Sequence, residues 1–384
     1  MKHGSVYKKM LIAAVLLITV AIIQHLVLDL LGVEARQDMV MTDTGIGVSY
    51  GFDMHAAFYS PSGRNFFFAT RDGVQNLTSS GELRWQYGFN MVLPQVVGRG
   101  EFLAIGEEYH IYVFGPDGML YTVSLQNPAL YYTVNATGHL SVITRTNTGY
   151  HVKVFNPTNQ REYYRASIND PNVFPFSVDA SNCGTYIVKA LVDVNTLVFS
   201  RLIFGYLSEH DPRSRAVVDG HFDFHRLPDE FIVRARFTDC GRVIVLTDRR
   251  IIGFRPGEDL LWDITLTNRP EHFYIGDNGF SYVTGDAFLN LDAADPGVLR
   301  IYNFDGQPTG TYDLGRRATH LSMGHNAVLV GMGRTFYAIN MHGTRLWTYS
   351  AFKDVQDKIF LDNTDTVLLA GGNRATVMRR LRVN

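Results

Sequence analysis

The residues best suited to chemistry in this 384-residue chain are His221, Asp223 and His225, in the run His-Phe-Asp-Phe-His. In an extended strand, residues two apart share a face. Two imidazoles and a carboxylate would then line one side while Phe222 and Phe224 turn to the other. Such a donor set suits Zn²⁺ or a similar ion. The competing reading is a solvated outer face opposite an aromatic inner one, and the spacing of about 7 Å between alternate residues makes joint coordination awkward without curvature. The trio is therefore a candidate only; no metal and no cofactor is assigned. Gly-x-Ser-x-Gly, a Walker loop and His-Glu-x-x-His are all missing, and without a nucleophile–base pair no catalytic residue is assigned.

These residues must be positioned by short strands. After about residue 44 the chain alternates β-branched and aromatic stretches with Gly, Asn, Asp and Pro turns, and shows no sustained helical period. Three turn glycines are followed by the only tryptophans: Gly81-Glu-Leu-Arg-Trp85, Gly257-Glu-Asp-Leu-Leu-Trp262 and Gly343-Thr-Arg-Leu-Trp347. Tryptophan confined to one repeat position marks a repeated packing site, so Trp85, Trp262 and Trp347 are read as blade-docking residues. Equivalent turns fall near Gly118, Asn159, Ser208–Arg213 and Gly306, about 37 to 51 residues apart, as in β-propellers. The expected fold is all-β, a propeller of about eight four-stranded blades with seven as the alternative. The last unit lacks a fourth strand, which Gly45–Phe52 could supply. Cys183 and Cys240 occupy matching turns of neighbouring units, where a disulfide is not expected because the cysteines would be too far apart.

The N-terminus is different material. Lys2, Lys8 and Lys9 precede an apolar stretch over 10–31, sufficient to span a bilayer. The organisation read from this is a cytoplasmic segment 1–9, a transmembrane anchor 10–31, a linker 32–43 and the propeller 44–384. A cleaved signal peptide is the alternative, but the stretch runs too far past a usual h-region. The lysines place the N-terminus inside, giving a single-pass protein of the cell membrane with an extracytoplasmic propeller. A formal net charge of −2 argues against nucleic acid as a partner.

The Gly-x-x-x-Trp unit resembles the blades of quinoprotein-type and WD-repeat-like propellers. Pyrroloquinoline quinone itself is not expected, since those dehydrogenases place adjacent cysteines under the quinone. The whole layout, with Gly-Glu-Leu-Arg-Trp-Gln-Tyr from residue 81, Ile-Tyr-Val-Phe at 111–114 and Arg-Leu-Ile-Phe-Gly-Tyr-Leu at 201–207, is similar to an uncharacterised family of membrane-anchored propellers known mostly from Gram-positive bacteria. That resemblance implies a fold and a location, and no activity.

Function is then sought in loops. Those joining second to third strands, and those between units, share one face of a propeller. Arg71, Arg145, Arg249, Arg250, Arg334 and Arg374 fall there, among acids that include Asp72, Glu107, Asp193 and Asp248. Between-unit loops add Phe89, Met91, Leu130, Phe174 and Phe352. The expectation is a non-catalytic scaffold or sensor that binds a protein or an envelope polymer. The alternative is an extracytoplasmic hydrolase or oxidoreductase with its site at the channel mouth.

Overall fold

Runs such as Asn-Phe-Phe-Phe-Ala-Thr at 65–70 are apolar at nearly every position, the signature of a strand buried on both faces. A computed structural model describes residues 40–49, 57–59, 65–195, 197–207, 221–239, 241–258, 260–287, 297–351, 357–360, 366–371 and 374–381. It forms 32 strands and, among the described residues, no helix. These assemble into eight four-stranded sheets. Seven are continuous in sequence, blades 1 to 7, spanning 57–88, 95–124, 129–168, 173–228, 232–265, 268–313 and 320–350. Blade 8 takes three strands from 357–381, and its fourth is the N-terminal strand Val40–Ser49.

The seam joins the two ends of the chain as the sequence required, although the closing strand begins before Gly45. Thr44 Oγ1 donates to Val377 O at 2.8 Å, and the Arg374 guanidinium donates to Gly45 O at 3.4 Å. Pairing with the long strand Arg374–Leu381 draws in residues that had been assigned to the linker. Residues Met41–Arg380 constitute one compact unit. The second unit, Met1–Val40 with Leu381–Asn384, lies almost wholly outside the described residues, and with it the expected anchor 10–31. Among the described residues no helix is long and apolar enough to cross a membrane.

Alternation along each strand feeds two interfaces at once. Phe66 and Phe68 pack toward Leu368 and Val377 of blade 8, while Phe67 and Ala69 pack toward Leu103 and Ile105 of blade 2. A separate apolar cluster fills each of the eight junctions between consecutive blades. The ring is therefore closed, and its core is annular.

Tryptophans brace these junctions from the fourth strand. Trp85 stacks on Phe114 of blade 2 (5.6 Å, 16°), and its indole N–H donates to Pro116 O at 2.9 Å. Trp262 repeats this between blades 5 and 6, stacking on Phe280 (5.7 Å, 11°) and donating to Phe304 O at 3.2 Å. Trp347 is buried between blades 7 and 8. The turn glycines that precede them, Gly81, Gly257 and Gly343, have φ of +84°, +79° and +82°. That left-handed conformation is open to glycine without a Cβ penalty.

Candidate functional site

In each antiparallel blade the loops between strands 1–2 and 3–4 leave one face, while the 2–3 loops and the between-blade connections leave the other. The second face carries every arginine singled out above, but it does not gather them into a cationic ring. Arg250 is held by Glu230 at 2.7 Å and Asp263 at 3.0 Å. Arg71 lies 3.8 Å from its neighbour Asp72, and Arg374 turns to the seam. Arg145 and Arg249 are exposed, as is Arg334. The six are spread over five blades, and only the consecutive Arg249 and Arg250 share one.

The acids of this face brace loops. Glu107 Oε1 accepts the backbone N–H of both Val92 and Leu93, the latter at 2.7 Å. Asp248 Oδ1 accepts from Phe231 N at 2.8 Å, while Asp248 N donates to Phe231 O at 2.9 Å. Asp193 pairs with Arg201 and accepts from Asn195 N at 2.9 Å, and the Asn195 amide reaches Asp170 at 2.9 Å. Carboxylates that looked like mixed surface charge are spent on backbone donors the loops would otherwise leave unmet.

What these braces hold out is apolar. Val92 is 78% exposed, Leu93 63%, Leu197 76% and Val198 64%. Tyr109, Leu130, Phe174, Phe231 and Val233 are exposed on the same face. First-strand bulges help to aim this set. The register of blade 3 skips Leu130 and that of blade 5 skips Val233. A bulged residue leaves the ladder and re-aims its side chain. In blade 4 the skipped residue is Phe176, which stacks on Phe231 at 5.2 Å. The result is an arc of exposed apolar side chains spread over the connections and 2–3 loops of blades 1 to 5.

Two of the expected aromatic and apolar anchors are not part of it. Met91 is 4% exposed and belongs to the core between blades 1 and 2, and Phe89 stacks on Tyr112 at 5.6 Å. Their backbone N–H groups donate to Arg71 O and Asp72 O, which folds the connection inward and leaves Val92 and Leu93 at its tip. Phe352 lies outside the described residues. The sequence offered a signal for the missed pair: an apolar Val-Leu followed by Pro94, placed in a connection where no strand could bury it.

His221–Pro228 is the fourth, outermost strand of blade 4. The His221 side chain lies outside the described set. His225 Nε2 and Asp223 Oδ2 are 3.1 Å apart, and the same Asp223 oxygen accepts from Gly257 N of blade 5 at 3.1 Å. The His225 ring packs on Phe254 at 4.7 Å. At this junction Asp223 does what an indole does at others: it ties a fourth strand to the next blade's turn. Among the described residues no group of three or more His, Cys, Asp or Glu is placed to hold a metal ion. Cys183 sits exposed in its turn with Sγ 3.4 Å from Ser181 Oγ, and Cys240 is outside the described residues.

The first strands of neighbouring blades lie against one another around the centre. Here Arg99 of blade 2 passes blade 3 to reach Asp179 of blade 4, with Nη1 and Oδ2 2.7 Å apart and side chains 7% and 2% exposed. The same carboxylate oxygen accepts from Phe237 N of blade 5 at 2.8 Å. One buried pair thus links three blades, and removal of either charge would strand the other.

Comparison with known proteins extends this picture. A search of curated protein sequences finds no match. Among solved structures, BamB from Moraxella catarrhalis is similar at 12% identity and a TM-score of 0.52, over 88% of this chain and 100% of that one. Apo AztD from Citrobacter koseri gives 12% identity and a TM-score of 0.48, over 83% and 89%. At 12% identity the likeness to BamB concerns the fold alone, the β-propeller. The family model described as "Family of unknown function (DUF5711)" matches residues 46–379, from the closing strand to the last one, and the chain belongs to that family.

Proposed function

We propose that the protein is a membrane-anchored, extracytoplasmic β-propeller that binds a partner protein through the loop face of blades 1 to 5, as a scaffold or sensor without catalysis. The observation that carries this reading is the apolar arc held out by braced loops. Val92 and Leu93 stand in water although Glu107 accepts both of their backbone N–H groups, and Leu197 and Val198 stand in water shortly after Asn195, which Asp193 and Asp170 hold. Large exposed apolar patches on soluble domains mark interaction sites, and loops on a rigid scaffold are where binding commonly resides. The anchor rests on the apolar stretch 10–31 behind Lys2, Lys8 and Lys9. An envelope polymer would more naturally meet polar or charged loops, so a protein is the partner favoured here.

The test uses the full-length chain in its native membrane. A photocrosslinking residue at Leu93 or Leu197 should trap one discrete protein, and the same probe at Met119, near the start of the fourth strand of blade 2 on the opposite side, should not. The triple variant Val92→Ser, Leu93→Ser, Leu197→Ser should lose the product while keeping its thermal midpoint. Equal products from both sides, or a product insensitive to the triple variant, would sink the reading. Removal of residues 1–36 should release the propeller from the membrane fraction.

A further inference from the structure

A cavity of about 150 Å³ opens among four first strands at the centre of the ring, lined by Val97 and Gly98 of blade 2, Tyr131 and Thr133 of blade 3, Asp179 of blade 4, and Arg234 and Arg236 of blade 5. Its polar groups are unevenly matched. Asp179 Oδ2 serves Arg99 and Phe237 N, but Oδ1 of the same carboxylate, on a side chain 2% exposed, has no hydrogen-bond partner. Buried acceptors are seldom left so, and one on an ionised group is costly. Arg234 and Arg236 stand two residues apart on one strand, share a side of it, and line the same space. Neither has a carboxylate partner among the described residues.

We propose that this cavity is a binding site for a small carboxylate that carries its own hydroxyl or ammonium donor. The carboxylate would take the guanidinium groups of Arg234 and Arg236, whose planar forks suit such an anion. The donor would satisfy Asp179 Oδ1. A simple anion meets only half of the site, because the lone acceptor would repel it, and a simple cation meets only the other half. Size narrows the class further. A cavity of about 150 Å³ accepts a molecule of about six heavy atoms, as engineered cavities of that volume do with benzene.

Tyr131 completes the wall. Burial, then the nearby Asp179 charge, pushes its pKa up, against the lowering influence of Ser177, Arg234 and Arg236. The phenol therefore stays protonated and remains a donor at neutral pH. Ser177 Oγ donates to Ala235 O at 3.2 Å, between the two arginines, so the wall is tied across blades 4 and 5. This site is separate from the apolar arc and does not depend on a partner protein being bound there.

The experiment titrates the purified full chain in detergent with lactate, propionate and inorganic phosphate, by calorimetry and ligand-observed NMR. Lactate and propionate differ by the hydroxyl that Asp179 Oδ1 would accept. Lactate should bind at least about tenfold more tightly than propionate, the discrimination expected of a hydrogen bond to a buried charged acceptor, and phosphate should be the weakest. Asp179→Asn is the direct variant but disturbs the pair with Arg99. Arg234→Gln with Arg236→Gln keeps the test open, since it should weaken lactate at least about tenfold while circular dichroism and the thermal midpoint hold. Lactate and propionate binding alike, binding that survives the double arginine variant, or no binding by any of the three probes would each overturn the proposal.

Discussion

Gly306 is where the repeat can be tested most sharply. It sits in the 3–4 turn of blade 6 with φ of +73°, and a Cβ built there would come 2.5 Å from Trp262 Cδ2, 2.8 Å from Cε3 and 2.8 Å from Cγ. The indole cannot retreat. It stacks on Phe280, donates to Phe304 O, and packs against Gly253 on its own blade. Gly306→Ala therefore combines two penalties: about 1–2 kcal/mol for a left-handed alanine and about 1–3 kcal/mol for overpacking. Gly315→Ala isolates the first, since Gly315 has φ of +66° and nothing within 4 Å of an added Cβ. The propeller unit of about 340 residues has an unfolding entropy of about 0.7 kcal/mol/K at the usual specific value. Gly315→Ala should then lower the thermal midpoint by about 1–3 °C, and Gly306→Ala by about 3–7 °C. In a Trp262→Leu background the Gly306→Ala shift should shrink to that of Gly315→Ala, as a double-mutant cycle would report. Scanning calorimetry on these four variants and the unsubstituted chain decides it. Equal shifts for the two glycine variants, or an undiminished Gly306→Ala shift in the Trp262→Leu background, would refute the docking of indole on turn glycine.

Two further outcomes follow from a buried charge and a half-buried imidazole. Arg99→Leu leaves the Asp179 carboxylate inside the ring without its counter-charge. It should cost about 3–5 kcal/mol, readable as a fall in urea midpoint at unchanged slope. His139 is held below its ordinary pKa by burial, so the unfolded chain takes a proton more readily than the folded one. Its contribution to stability is full above the unfolded value of about 6.5 and is lost as pH falls below it. Melting curves from pH 7.5 to 5 should show that decline, and His139→Gln should flatten it.

Much of the architecture was legible in the chain. The spacing of Gly81, Gly257 and Gly343 before their tryptophans set the repeat, because a left-handed turn admits glycine and an indole at one register position can only serve a recurring junction. The missing fourth strand at the C-terminal end required the N-terminus to supply it, and Val40–Ser49 does. The site was less legible. Met91 and Val92 are neighbours of similar hydropathy, yet one is core and the other is the most exposed large apolar residue of the arc. Period-2 alternation separates faces within a strand but does not say how a connection folds. The His221–Asp223–His225 run shows the converse: strand alternation put Asp223 and His225 on one face, and the neighbouring blade gave that face a docking task.

By itself the sequence determined which segments become strands, how often the unit recurs and which ends must meet, since these depend on local backbone preference and on spacing along the chain. The tertiary structure alone decided what converges. Arg99, Tyr131, Asp179 and Arg236 come from four blades and meet only because the ring closes and packs their first strands around one centre. Nothing in their spacing announces that meeting, because a propeller relates residues by rotation about its axis and not by their separation along the chain.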